Sequence, residues 1–255
     1  MEVHAHSHTV PIAIGRKKWT HYLWEFLMLF LAVFCGFLAE NIREHQIEHI
    51  RENKFMQALL ADISEDTTEI MKSISTAVKT KQYEDSVIFY LYNNPPVDFL
   101  PLHYLVIDFN ALQRLKVVFN EVTALQLKNA GNLRLIRKQD IIRKISLYWK
   151  EQENTQISLD RYLTYRNRGR EFAEKLFAFS ESDLVEEELI KPLKAVKVIQ
   201  ANPVLWAEYA NIISHCRITI KNCIDQFQKQ LNMAMELSLL LQKEYHLSEG
   251  TPLEK

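Results

Sequence analysis

The sequence predicts an all-α protein: an N-terminal transmembrane helix that continues into a stalk, then an antiparallel helical bundle. Three observations carry that reading. Glycine is scarce, with five in 255 residues, about 2% where about 7% is usual. Folds that bring backbone against phosphate, and folds rich in tight turns, both need more. Between Phe37 and Asn94 there is neither proline nor any further glycine. Across that stretch apolar residues recur at Met56, Leu59, Leu60, Ile63, Ile70, Ile74 and Val78, in steps of three, four and seven that belong to a helix. Val97–Phe109 is the one run ambiguous between helix and strand.

Composition narrows the class further. Hydrophobic residues are 47% and charged residues 25%, which excludes a disordered chain. The net charge of −1 excludes a polyanion binder acting through its overall charge. Cys216 and Cys223 are seven apart on a predicted helix, about 10 Å along its axis and too far for a bridge within it. They read as buried thiols.

The elements follow in order. Residues 1–18 form a short polar tail carrying His4, His6 and His8, which is expected to be disordered. Residues 19–39 form the transmembrane helix. Trp19, Tyr22 and Trp24 stand at one end as an interfacial belt, after Arg16-Lys17-Lys18. The uncharged core Phe26–Ala39 is 14 residues, about 21 Å, and Glu25 at its edge is placed to snorkel. Phe37 stands where cleavage after Ala39 would need a small residue, so an uncleaved anchor is expected. Lysines and arginines tie at three on each side, but they cluster more tightly before the span. That places the N-terminus in the cytoplasm and the rest in the periplasm of a bacterial inner membrane. Ala32 and Gly36 form a small-residue pair suited to transmembrane packing.

Residues 40–82 are expected to form a stalk helix joining the bundle, with a break before Tyr83. Residues 83–247 form the bundle and 248–255 a C-terminal tail. Asn93-Asn94-Pro95-Pro96 ends the first section in an extended loop. Helices are then predicted over 102–119, from an Asn120 cap to Ala130, and over 140–179. Gly131 reads as a helix-ending glycine. In the third of these, Ile141, Ile145, Leu147, Tyr148, Leu159, Leu163 and Phe172 are the core candidates. Asp183 with Glu186 resembles a capping box before a short helix broken near Pro192. Asn202-Pro203 reads as a cap followed by an N1 proline, opening a last helix to Tyr245 with its core on Leu205, Tyr209, Ile212, Cys216, Ile220, Cys223, Phe227, Leu231 and Ala234. Four long antiparallel helices result.

Charge is uneven along this chain: residues 102–180 carry 14 basic and 8 acidic side chains, whereas 40–94 carry 6 and 10. Arg134, Arg137, Lys138, Arg143 and Lys144 form the densest basic group. Two readings stay open for it: a basic helix flanked by acidic neighbours in the bundle, or a surface for an anionic partner or lipid headgroups. Nucleic acid is not expected as a partner.

Catalytic signals are sparse. His45-Gln46-Ile47-Glu48-His49 matches H-x-x-E-H, a zinc-protease pattern. Helical i, i+4 spacing would set His45 and His49 on one face, with Glu48 as base and a distant third ligand still required. These three are weak metal candidates in charge-rich stalk sequence. No catalytic residue and no cofactor is expected, and no phosphate loop, nucleophile elbow or C-x-x-C pair is present.

Two passages carry a family likeness. One is the start, with Lys17-Lys18-Trp19-Thr20-His21-Tyr22-Leu23-Trp24 running on to Glu40-Asn41-Ile42-Arg43-Glu44-His45 and then Lys54-Phe55-Met56-Gln57. The other is Leu127-Lys128-Asn129-Ala130-Gly131-Asn132-Leu133-Arg134-Leu135 with Ile141-Ile142-Arg143-Lys144. Together they resemble an uncharacterised family of single-pass membrane proteins from Gram-negative bacteria, with an anchor helix and a helical soluble domain. The resemblance implies no chemistry and no site residues. The expectation is therefore a non-enzymatic scaffold, sensor or assembly partner in the cell envelope. Its partners would be the lipid bilayer and either another envelope protein or a second copy of itself. A metal-dependent hydrolase using residues 45–49 and a small-molecule sensor bundle are the alternatives.

Overall fold

A computed structural model describes residues 19–94, 99–101, 115–129, 131–178, 195–200 and 202–247. Among them the elements are α1 (Trp19–Asn93), β1 (Phe99–Pro101), α2 (Val122–Asn129), a single 3-10 turn (Asn132–Leu135), α3 (Gln139–Leu176), β2 (Ala195–Lys197) and α4 (Pro203–Tyr245). The fold is all-α, and β1 and β2 are only a three-residue antiparallel pair. Contacts divide the chain into two units, residues 1–51 and residues 52–255.

In the first unit the described residues are helical from Trp19 onward. Every side chain from Trp19 to Arg51 is exposed except Glu48, which is half-buried. Phe26, Phe30 and Phe34 stack one turn apart, with ring centroids 6.2 and 5.8 Å from each other. This part of α1 contains a segment long and apolar enough to cross a membrane.

The second unit is organised by a heptad. On α1 steps of four and three run unbroken from Glu52 through Met56, Leu59, Ile63, Asp66 and Ile70 to Leu91, and every one of these positions is buried. On α4 the same alternation runs from Trp206 and Tyr209 through Ile213, Cys216 and Ile220 to Leu241. On α3 it runs from Ile141 to Leu176, with half-buried Gln152 keeping the register. A 3.5-residue period on all three helices is the signature of coiled-coil-like packing.

Core clusters give the directions. Met56 packs with Ile141 and Leu241 at one end, and Leu91 packs with Leu176 and Trp206 at the other. Helix α3 therefore runs parallel to the bundle portion of α1, and α4 runs antiparallel to both. Parallel neighbours need a connection that returns along the whole length. Residues 115–138 supply the described part of that return. Leu115 and Val117 sit with Ile70 and Ala77 at mid-bundle, while Leu127 and Ile136 reach the cluster around Met56.

The far end is closed by main-chain bonds. Ala178 N donates to Lys197 O at 3.0 Å and Ile199 N to Leu176 O at 2.7 Å. The Trp206 indole donates to Leu91 O at 3.2 Å, serving one of the carbonyls that the end of α1 leaves open.

Several expectations need correction. α1 has no break before Tyr83 and continues to Asn93. Its inward face from Glu52 onward belongs to the bundle core, not to a stalk. Ile74 is only partly buried and Val78 is exposed, because the heptad passes through Ser73, Ala77 and Thr80. Of the helix expected over 102–119, Leu115–Phe119 is not helical, and 102–114 lies outside the described residues, as do the tail histidines and the capping box at Asp183. Leu147 is exposed. Gly131 does adopt the left-handed conformation, at φ 64°. Asn202 caps α4, its side chain accepting from Val204 N at 2.8 Å.

Candidate functional site: the buried polar layers

The heptad positions of α1 are not all apolar. Glu52, Asp66, Ser73, Thr80 and Glu84 all occupy core positions, and Asp62 is buried beside them. A buried carboxylate is costly unless hydrogen bonds serve it, and most of these find their donors on the returning segment. Glu52 accepts Arg137 N at 3.1 Å and the Tyr245 hydroxyl at 2.6 Å. Asp62 accepts Thr123 N at 3.0 Å, one of the open donors at the start of α2. Asp66 accepts Asn120 N at 2.7 Å on one oxygen, and the Tyr148 hydroxyl at 2.7 Å and Gln152 Nε2 at 3.0 Å on the other. Ser73 donates to Lys116 O at 2.7 Å. One face of α1 thus staples residues 116–137 in place. Burial nevertheless holds the Asp66 carboxyl above its ordinary range, against its hydrogen bonds.

A second layer lies between α3 and α4. Burial pushes Glu151 up, but Lys229 at 2.6 Å with Gln226 and Asn154 outweighs it and holds the carboxyl below its ordinary range. Gln230, fully buried on α4, has no hydrogen-bond partner for its amide among the described residues.

The third layer brings Glu84 of α1 to Tyr162 and Arg166 of α3 and to Tyr209 and Cys216 of α4. Arg166 is the largest wholly buried side chain described. Glu84 Oε1 accepts the Tyr162 hydroxyl at 3.2 Å, and its Oε2 has no hydrogen-bond partner among the described residues. Burial raises the Glu84 carboxyl to about 8, against the pull of the Arg166 charge. Gly169, one turn beyond Arg166, faces α4: a Cβ there would make ordinary contact with Ile213 Cδ1 at 3.4 Å and Ile212 Cγ2 at 3.5 Å. Burial pushes the thiols of Cys216 and Cys223 up to about 12 and about 11, so neither is a nucleophile at neutral pH.

The residues singled out from sequence sit elsewhere. Ala32 and Gly36 are exposed on α1, and nothing lies within 4 Å of a Cβ built on Gly36. His45 Nδ1 lies 3.7 Å from Glu48 Oε2 on the exposed helix. With His49, these do not form a group of three or more metal-ligating side chains, and no such group exists among the described residues. Arg134, Arg137, Lys138, Arg143 and Lys144 are all exposed. Lys138 pairs with Glu244, and Lys144 pairs with Glu236 at 3.0 Å. Part of the basic excess is therefore matched by acids of α4 inside the bundle.

Apolar periodicity alone does not reveal the buried layers, because their residues are polar. The signal that finds them is the 4-3 alternation itself, which from Glu52 to Leu91 includes Asp66, Ser73, Thr80 and Glu84 as readily as their apolar neighbours. No protein-family model matches the chain, and no curated protein and no solved structure matches it.

Proposed function

We propose that the chain is a single-pass membrane protein of the bacterial cell envelope whose helical bundle acts as a scaffold, sensor or assembly partner, and not as an enzyme. One observation carries the reading. From Phe26 to Ala39 every side chain of α1 is exposed although none is charged, and a soluble protein does not leave so long an apolar stretch in water. A bilayer is the partner that covers it, with the Trp19–Trp24 aromatics at the interface. The basic residues Arg16, Lys17 and Lys18 favour an N-terminus in the cytoplasm and a bundle in the periplasm. Membership of the single-pass family resembled by residues 1–65 and 120–150 is part of the same proposal. A bundle that satisfies Glu52, Asp62 and Asp66 through its returning segment supports a rigid presenting body over a catalytic one.

Membrane fractionation tests the anchor. The full chain is expected to stay in the pellet through alkaline extraction. Leu31→Arg, which places a charge near the centre of the span at a cost of about 2.5–3.5 kcal/mol, is expected to release a large share of it. Wild-type protein in the soluble fraction overturns the proposal. A fluorescent reporter that matures only in the cytoplasm, fused after Lys255, is expected to stay dark. Stoichiometric zinc that is lost in His45→Ala or His49→Ala would replace this reading with the hydrolase.

A further inference from the structure

We propose that Glu84 is a proton-binding site whose occupancy sets how firmly α1 is held to α3 and α4, making the bundle a pH-responsive coupler. The inference goes beyond the envelope reading and does not depend on it. Every other buried carboxylate on α1 is served by main-chain N–H groups: Glu52 by Arg137, Asp62 by Thr123 and Asp66 by Asn120. Glu84 receives no main-chain donor among the described residues. Among the described residues its one hydrogen bond is the long one from the Tyr162 hydroxyl, and its second oxygen is buried without a hydrogen-bond partner. A carboxylate in that setting is poorly solvated, and the neutral acid is the form that burial favours.

The surrounding charges do not remove that preference. From α1 itself, Asp85 opposes ionisation of Glu84 and Lys81 assists it. These two pair with each other at 2.7 Å, and Asp85 also takes Arg217 of α4. From α3 come Arg166, which favours the charged form, and Tyr162. From α4 come Tyr209 and Cys216, both held neutral by burial. Desolvation exceeds all of these contributions, and the group titrates near 8 in place of 4.5.

The sign follows from linkage. The folded protein binds this proton more tightly than the unfolded chain does, so the contribution to stability is fully present below about pH 4.5. It is lost as pH rises through about 8. A shift of that size corresponds to a fall of about three orders of magnitude in the folded-to-unfolded ratio across the window. Deprotonation above neutrality leaves a buried charge, attracted by Arg166 but with no hydrogen-bond donor on its second oxygen among the described residues, in place of a neutral acid. Of the three helices, α1 is the one whose attachment it loosens, because Glu84 is its only carboxyl in the distal half of the bundle core.

The test uses the full chain in detergent micelles. Infrared difference titration of the wild type is expected to show a protonated-carboxyl band that disappears with a midpoint near pH 8, and to lose that band in Glu84→Gln. A midpoint in the ordinary carboxylate range, or a band that persists in the variant, overturns the proposal. The melting temperature of the wild type is expected to fall between pH 6 and 9 while that of Glu84→Gln stays level. Equal slopes overturn the coupling. Should Glu84→Gln fail to fold, the wild-type infrared midpoint alone decides.

Discussion

Replacing Asp66 with alanine probes the stapling of the returning segment most directly. The substitution removes the acceptor for three donors at once: Asn120 N, the Tyr148 hydroxyl and Gln152 Nε2. Tyr148 is 1% exposed, so water cannot take over its hydroxyl without opening the core. Leaving a buried polar group unserved costs about 1–3 kcal/mol. Two such groups, offset by the relief of no longer burying a carboxylate, give a loss of about 3 kcal/mol. For a unit of this size that corresponds to a melting temperature lower by about 6–12 °C.

The loss should also be local before it is global. Amide exchange across residues 115–129 is expected to quicken, while α4 between Ile220 and Leu231 stays protected. Asp66→Asn should fall between the two proteins. Its carbonyl can still accept from Tyr148, but its amide would face the N–H of Asn120. A melting temperature within about 2 °C of wild type, with unchanged exchange at 115–129, would refute the claim that this carboxylate holds the segment.

Two further outcomes follow from single contacts. Asn202→Ala removes the side chain that accepts from Val204 N at 2.8 Å and is expected to cost about 1 kcal/mol, read as an earlier midpoint in urea with an unchanged slope. A double-mutant cycle on Lys144 and Glu236, exposed side chains 3.0 Å apart, is expected to give a coupling below about 1 kcal/mol that fades with added salt.

The parts of the fold legible in the sequence were those governed by local chemistry. The Asn202-Pro203 start of α4 and the left-handed Gly131 are each set by residues adjacent in the chain. The core of α4 is legible as well, because almost every core position predicted there is buried. The second helical stretch failed for a non-local reason. Leu115, Val117 and Phe119 look like part of an apolar helix, yet they alternate along a non-helical segment that buries Leu115 and Val117. The segment's main chain is bonded by Ser73 and Asp66 on another helix, and no window around residue 115 contains them. The same distance explains the candidate site, since Glu84, Arg166 and Tyr209 meet only once three helices are packed.

The polar positions of α1 also explain how one heptad supports this topology. A purely apolar seam would let α1 slide by a heptad against α3, and it would not distinguish parallel from antiparallel neighbours. Glu52, Asp62, Asp66 and Ser73 remove that freedom, because each is matched to one backbone group of residues 116–137. Sliding by seven residues would strand four buried polar groups together. Register is thereby set over the half of α1 that the returning segment covers. Among the described residues that segment does not reach Glu84, whose register partners are the side chains of Tyr162 and Arg166 instead. Glu84 has no main-chain donor among the described residues to favour its charged form, so burial acts on it with less opposition than on Asp66. The distal half of the bundle is therefore where a change in pH would first be felt.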